Sequence, residues 1–177
     1  VFPKLKRLDL SCSWNLIRIP DLCLSPDIEE ILLHGCKRLT EVYSSGFLNK
    51  LNCLRLDGCH DLRSLTIPSN ILSRSSGLIN LSRCEKLETF SIPNRTHHAE
   101  EEEEEEEKCW DNGTASDSKE EEVVDECLLD LSDCKSLTSL SFEFDLSKSK
   151  FLKQLLLDGC DIGILHKTLI PYSHTGH

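Results

Sequence analysis

One phrase recurs along this chain: alternating aliphatics, two small or polar residues, a cysteine, and a leucine three residues further on. "ILLHGCKRL" (31–39) is followed by "LRLDGCHDL" (54–62), "INLSRCEKL" (79–87), "LDLSDCKSL" (129–137) and "LLLDGCDIG" (155–163). "LDLSCSWNL" (8–16) fits the same frame with serine in the cysteine position. Aligned on that slot, the series is Ser13, Cys36, Cys59, Cys84, Cys134 and Cys160, at intervals of 23, 23, 25, 50 and 26 residues. A unit this short cannot bury its own apolar face, so self-similarity at this period reads as a stack of coils, each packed on its neighbours.

The pattern L-x-x-L-x-L-x-x-N/C is the leucine-rich-repeat signature. Within each copy Leu8/Leu10, Ile31/Leu33, Leu54/Leu56, Ile79/Leu81, Leu129/Leu131 and Leu155/Leu157 alternate with other residues, the period of a half-buried strand. Gly35, Gly58 and Gly159 precede the slot, where freedom to take positive φ helps the chain turn off the sheet. The slot residue is expected to point inward beneath that turn. A small, mostly apolar side chain with a weak donor suits a place lined by backbone groups that no sheet satisfies. Leu16, Leu39, Leu62, Leu87 and Leu137 follow at slot plus three, and Ile19, Val42, Leu65, Phe90 and Leu140 three later, filling the core from the returning side. Pro20, Pro68 and Pro93 disfavour a long helix there. The expected fold is an α/β-type leucine-rich-repeat solenoid, a horseshoe with a parallel sheet on its concave face. Loops and short 3-10 turns form the convex side.

The formal charge of −11 is local. Residues 94–125 hold 14 acidic and 3 basic side chains, and the rest of the chain carries 17 of each sign. No basic stripe is present to meet phosphates, so nucleic acid is not an expected partner. No apolar run approaches 18 residues, so neither is a membrane span. The chain contains no methionine and opens directly into a repeat, which reads as a fragment of something longer.

"LKRLDLSCSWNLIRIPDL" (5–22) and "IEEILLHGCKRLTEV" (28–42) resemble the repeat region of intracellular plant immune receptors. These are the disease resistance proteins with an N-terminal TIR domain, a nucleotide-binding module and C-terminal leucine-rich repeats. The resemblance covers residues 1–93 and 124–160. It implies a protein-recognition and autoregulatory module of the cytoplasm or nucleus, contacting pathogen effectors or the receptor's own nucleotide-binding and TIR domains. ADP or ATP binding is implied only for an upstream module, since no Gly-rich phosphate loop occurs here, and no cofactor is expected for this stretch. Two other readings stay open: an extracellular receptor-like binding domain, which the sequons at Asn80, Asn94 and Asn112 would suit, and a non-immune scaffold.

The 50-residue interval departs from the pattern. It equals two periods, and Cys109 would mark a hidden repeat, but that register puts Glu104 and Glu106 at inward strand positions. Burying two unpaired carboxylates is prohibitive. Residues 94–123 are therefore expected to be a disordered acidic insertion, with repeats 1–4 in 1–93, repeats 5–6 in 124–165, and a tail in 166–177. Eight consecutive glutamates, Glu100 to Glu107, repel one another and bury nothing.

The outward strand residues form the expected partner-binding face. Its candidates are Arg7, Glu30, Leu78, Leu128 and Gln154 in one row, with Asp9, Leu32, Arg55, Asn80, Asp130 and Leu156 in the next. His34, Asp57 and Asp158 belong to a third, shared with Ser11, Ser82 and Ser132. Leu32, Leu78, Leu128 and Leu156 are expected to be exposed there, as a protein contact would need. Zinc is not expected, because its ligand pairs lie two to five residues apart and the slot cysteines recur at 23 to 26. Nor is catalysis: His34 and Asp57 are expected as a hydrogen-bonded surface pair, and no nucleophile–base motif is present.

Overall fold

The computed structural model describes residues 2–74, 76–93, 127–142 and 152–161. The expected acidic insertion at 94–123 and tail at 166–177 lie outside these residues. Ten short strands follow one another: β1 (Arg7–Asp9), β2 (Glu30–Leu32), β3 (Glu41–Tyr43), β4 (Cys53–Arg55), β5 (Ser64–Thr66), β6 (Leu78–Asn80), β7 (Thr89–Ile92), β8 (Cys127–Asp130), β9 (Ser139–Phe142) and β10 (Leu152–Leu156). They make two parallel sheets, one ordered β1-β2-β4-β6-β8-β10 and one ordered β3-β5-β7-β9. The architecture is a leucine-rich-repeat solenoid, with a strand of the first sheet opening each coil.

The register follows the slot alignment. Leu8 pairs with Ile31, Ile31 with Leu54, Leu54 with Ile79, Ile79 with Leu129, and Leu129 with Leu155. β6 pairs directly with β8, and β7 with β9, so no regular strand intervenes across the 50-residue interval in either sheet. Leu33, Leu56, Leu81 and Leu131 are all 0% exposed, and Leu10 and Leu157 at the two ends are only half-buried. Burial of a row thus depends on having a coil on each side.

The convex side differs from the expectation of loops and 3-10 turns alone. Two such turns are present, Leu22–Leu24 and Ile71–Ser73, and no α-helix occurs among the described residues. The returning segments, however, build the second sheet. Val42, Leu65, Phe90 and Leu140 are its inward residues, paired in register, with Ile19 extending the row beside the Arg18–Glu41 bridge. Pro68 and Pro93 follow that sheet and still contribute carbonyls, which accept from the Leu48 and Ser69 amides. Asp21 caps the first 3-10 turn by accepting from the Cys23 amide, and also accepts from the Ser45 amide of the next coil. Hydrogen bonding to Ser45 and to Cys23 holds its carboxyl down at about 2.

The turn after each strand explains both the glycines and the cysteines. The slot-minus-one residue takes φ between 57° and 74° in all six coils: Gly35, Gly58 and Gly159, but also Cys12, Arg83 and Asp133. Its amide then bonds to the next coil, as Gly35 to the Asp57 carbonyl and Gly58 to that of Ser82. The slot amide bonds back to the carbonyl three residues earlier, and the slot-plus-three amide bonds to the slot carbonyl, giving two tight turns in succession. Each slot thiol donates across to the preceding coil. Cys36, Cys59, Cys84, Cys134 and Cys160 reach the carbonyls of Leu10, Leu33, Leu56, Leu81 and Leu131 at 2.9–3.2 Å. Ser13, with no coil before it among the described residues, starts the series half-buried. All nine described cysteines are free thiols.

Two outcomes follow from this turn. An added Cβ on Gly58 meets nothing closer than 3.9 Å, so Gly58→Ala pays only for left-handed backbone and should lose about 1 kcal/mol. Arg83→Gly removes the same strain at the cost of a floppier unfolded chain, for a net gain of roughly 0.5 kcal/mol. Urea unfolding measures both; equal and opposite signs to these would contradict the turn geometry. Burial also pushes the thiols up from their ordinary 9.0, Cys59 and Cys134 to about 12 and Cys84 well upward. The folded state therefore favours the protonated thiol. Its contribution is complete below pH 9 and lost as pH rises from 9 toward 12, by about 1.4 kcal/mol per pH unit for each thiol. Circular dichroism should show cooperative alkaline unfolding in that window, moved to higher pH by Cys84→Ser. An unchanged signal through pH 12 would contradict burial of the slot.

Candidate functional site

With the aliphatics turned inward, the alternate strand residues line the other face of the six-stranded sheet. Strand pairing places the candidates in two continuous rows: Arg7, Glu30, Cys53, Leu78, Leu128 and Gln154, then Asp9, Leu32, Arg55, Asn80, Asp130 and Leu156. The third row lies just beyond the strands, in the turns that carry Ser11, His34, Asp57, Ser82, Ser132 and Asp158. A bulge between Leu152 and Gln154 interrupts the last strand, and the pairing recovers at Gln154.

The first half of this face is internally paired. Arg7 lies 2.8 Å from Glu30 and 3.6 Å from Asp9, and Arg55 lies 3.3 Å from Asp57. The Ser11 hydroxyl donates to Asp9 at 2.7 Å, and Ser11 Oγ is 2.9 Å from His34 Nδ1. A hydroxyl has one proton, so His34 Nδ1 carries the hydrogen that Ser11 accepts. That chain replaces the expected His34–Asp57 pair. His34 turns back to the preceding coil, and Asp57 is held instead by Arg55 of its own strand. Hydrogen bonds from Ser11 hold the Asp9 carboxyl below its usual range. Cys53, half-buried, is pushed up by desolvation, with the Glu30 charge adding to it.

The second half is built differently. Leu78 and Leu128 are register neighbours and partly exposed. Asn80 and Asp130 each accept from the amide two residues on, at Ser82 and Ser132, which fixes both side chains upright at the strand end. Leu156 is 40% exposed. Leu32, expected to be exposed with these three, is only 8% exposed. Its row neighbours are the long Arg55 and the Ser11-bound Asp9, whereas Leu128 and Leu156 stand beside shorter or terminal neighbours. Among the described residues no group of three or more His, Cys, Asp or Glu is arranged to hold a metal ion.

Exposed apolar residues also occur off this face: Trp14 and Ile17 just after the first slot, and Tyr43 on β3. In the next four coils the position of Trp14 holds Lys37, His60, Glu85 and Lys135 and that of Ile17 holds Thr40, Arg63, Glu88 and Thr138, so position-by-position comparison of the copies could have found them. No described helix is long and apolar enough to cross a membrane.

No family model and no solved structure matches the chain. Curated relatives do. It is 38% identical over 88 residues to disease resistance protein RML1A of Arabidopsis thaliana, covering 49% of this chain and 9% of that protein. It is 29% identical over 187 residues to disease resistance protein RRS1 of the same plant, covering 89% of this chain and 13% of that protein. With TMV resistance protein N of Nicotiana glutinosa it shares 34% identity over 87 residues, 49% of this chain and 7% of that protein. The chain thus spans between 7% and 13% of the length of these relatives. Over the stretch it covers, it matches a fragment of the TIR-type nucleotide-binding leucine-rich-repeat disease resistance proteins of plants.

Proposed function

We propose that this chain is the protein-recognition and autoregulatory module of an intracellular plant immune receptor, working in the cytoplasm or nucleus. It acts by binding rather than by catalysis and needs no cofactor of its own. Its partners are pathogen effectors, or the nucleotide-binding and TIR domains of the same receptor, and defence signalling is the outcome. One observation carries the reading. In a chain similar to disease resistance proteins, six coils turn their aliphatics inward and leave one continuous, mixed polar and apolar face outward. Such a face is suited to a protein surface, where aliphatic anchors supply affinity and placed charges supply discrimination.

Arg55 and Asp57 stand near the middle of that face and pair only at its surface, so reversing them together tests it. Arg55→Glu with Asp57→Arg should weaken partner binding at least tenfold, while the melting temperature moves by no more than about 2 °C. Affinity is measured with the receptor's own nucleotide-binding domain as partner, and with candidate effectors. Unchanged affinity for every partner would contradict the assignment of this face.

A further inference from the structure

The two halves of the sheet face differ in how their charges are satisfied. In the first half every carboxylate already has a partner: Glu30 and Asp9 lie beside Arg7, and Asp57 beside Arg55. In the second half, Asp130 and Asp158 form no ion pair among the described residues. Asp130 accepts one amide hydrogen bond, from Ser132, at 2.9 Å. A carboxylate has about four acceptor sites, so most of its capacity faces outward. Asp130 lies in register between Asn80 and Leu156, and Leu128, two residues earlier, pairs with Leu78. Both leucines are partly exposed, as is Asp130, and Asp158 is exposed. An aliphatic pair, Leu78 and Leu128, therefore lies one strand period from the Asp130 carboxylate, with Asp158 in the next row on the neighbouring coil.

Resting on the reading of this face as the binding platform, we infer that its second half, from β6 to β10, docks a basic protein segment. The segment places an aliphatic side chain on Leu78 and Leu128 and Lys or Arg side chains on Asp130 and Asp158. Charge complementarity selects this occupant. An acidic segment would meet two uncompensated carboxylates, and a neutral apolar one would leave both without a cation while removing them from water. The first half offers no equivalent, because a cation arriving there must displace Arg7 or Arg55 from bonds already made.

The test uses the full 177-residue chain and three synthetic probe peptides of equal length. One alternates Lys with Leu, one alternates Lys with Ser, and one alternates Glu with Leu. The glutamate run at 100–107 also attracts cations, and it is identical in every variant, so only differences between variants are read. Asp130→Asn with Asp158→Asn should weaken the Lys–Leu peptide about tenfold, with the loss shrinking as salt is raised. Leu128→Ser should weaken the Lys–Leu peptide several-fold and leave the Lys–Ser peptide unchanged. The Glu–Leu peptide should not bind, and unchanged melting of each variant shows that folding is intact. Equal affinity of wild type and the double Asn variant, or equal loss of both Lys peptides on Leu128→Ser, would overturn the inference. If Arg55 and Asp57 govern partner binding while these variants do not, the platform stands and this occupant falls. If neither set matters for any partner, the platform itself falls.

Discussion

Each coil has to leave its sheet through a turn that packs against the next coil, and a carbonyl buried beneath it must find donors beyond the strand ladder. Leu33, at 0% exposure, shows the problem. Its carbonyl lies just past β2, where the ladder has ended, and accepts from the Cys36 amide of its own turn at 3.2 Å. The Cys59 thiol of the following coil makes the second contact at 3.1 Å. The same arrangement recurs at Leu10, Leu56, Leu81 and Leu131. An asparagine could supply such a donor, but cysteine does so with an apolar atom that also packs, and burial keeps it protonated. Weights differ between the two contributions. A buried leucine side chain stabilises by about 1.5–3 kcal/mol and one hydrogen bond by about 1 kcal/mol. The aliphatic rows therefore supply most of the stability, and the slot supplies the register in which they meet.

How much of this could be read from sequence follows from which features repeat. The rows from Arg7 to Gln154 and from Asp9 to Leu156 emerged with their observed pairing, because alignment on the slot sets every other position in a coil. The glycine requirement was legible too, although Cys12, Arg83 and Asp133 adopt the same positive φ. At those three positions the covering coil outweighs a modest local strain. The second sheet was not legible as a sheet. "EVY", "SLT", "TFSI" and "SLSF" do alternate with β-branched or aromatic residues, but each is only three or four residues long. Such a run becomes a strand only when the neighbouring coil presents a matching one. Leu32 was misjudged for a related reason. Strand parity tells which face a side chain is on, and the size of its neighbours across the sheet decides whether water reaches it.

Surface charge adds a second layer. Lys6–Glu29, Lys50–Asp27, Arg63–Glu88 and Lys86–Asp61 all join one coil to the next. They are exposed and screened by solvent, so they add little to stability. What they do is pair cations with carboxylates between neighbouring coils. In the second half of the sheet face the Ser132 amide holds the Asp130 carboxylate, and neither Asp130 nor Asp158 pairs with a cation among the described residues. Carboxylates without a cation beside partly exposed leucines make a surface that discriminates among partners rather than attracting them all.

Native-state hydrogen exchange resolved by residue tests the central claim most directly, because it asks whether the coils are one cooperative body. The amides of Leu33, Leu56 and Leu81 and those of Cys36, Cys59, Cys84 and Cys134 should exchange with one shared free energy, equal to that of global unfolding. Protection should weaken only toward β1 and β10. If the coils before and after the 50-residue interval exchanged with separate free energies, or the slot amides exchanged as fast as exposed loops, the stacked account would be contradicted.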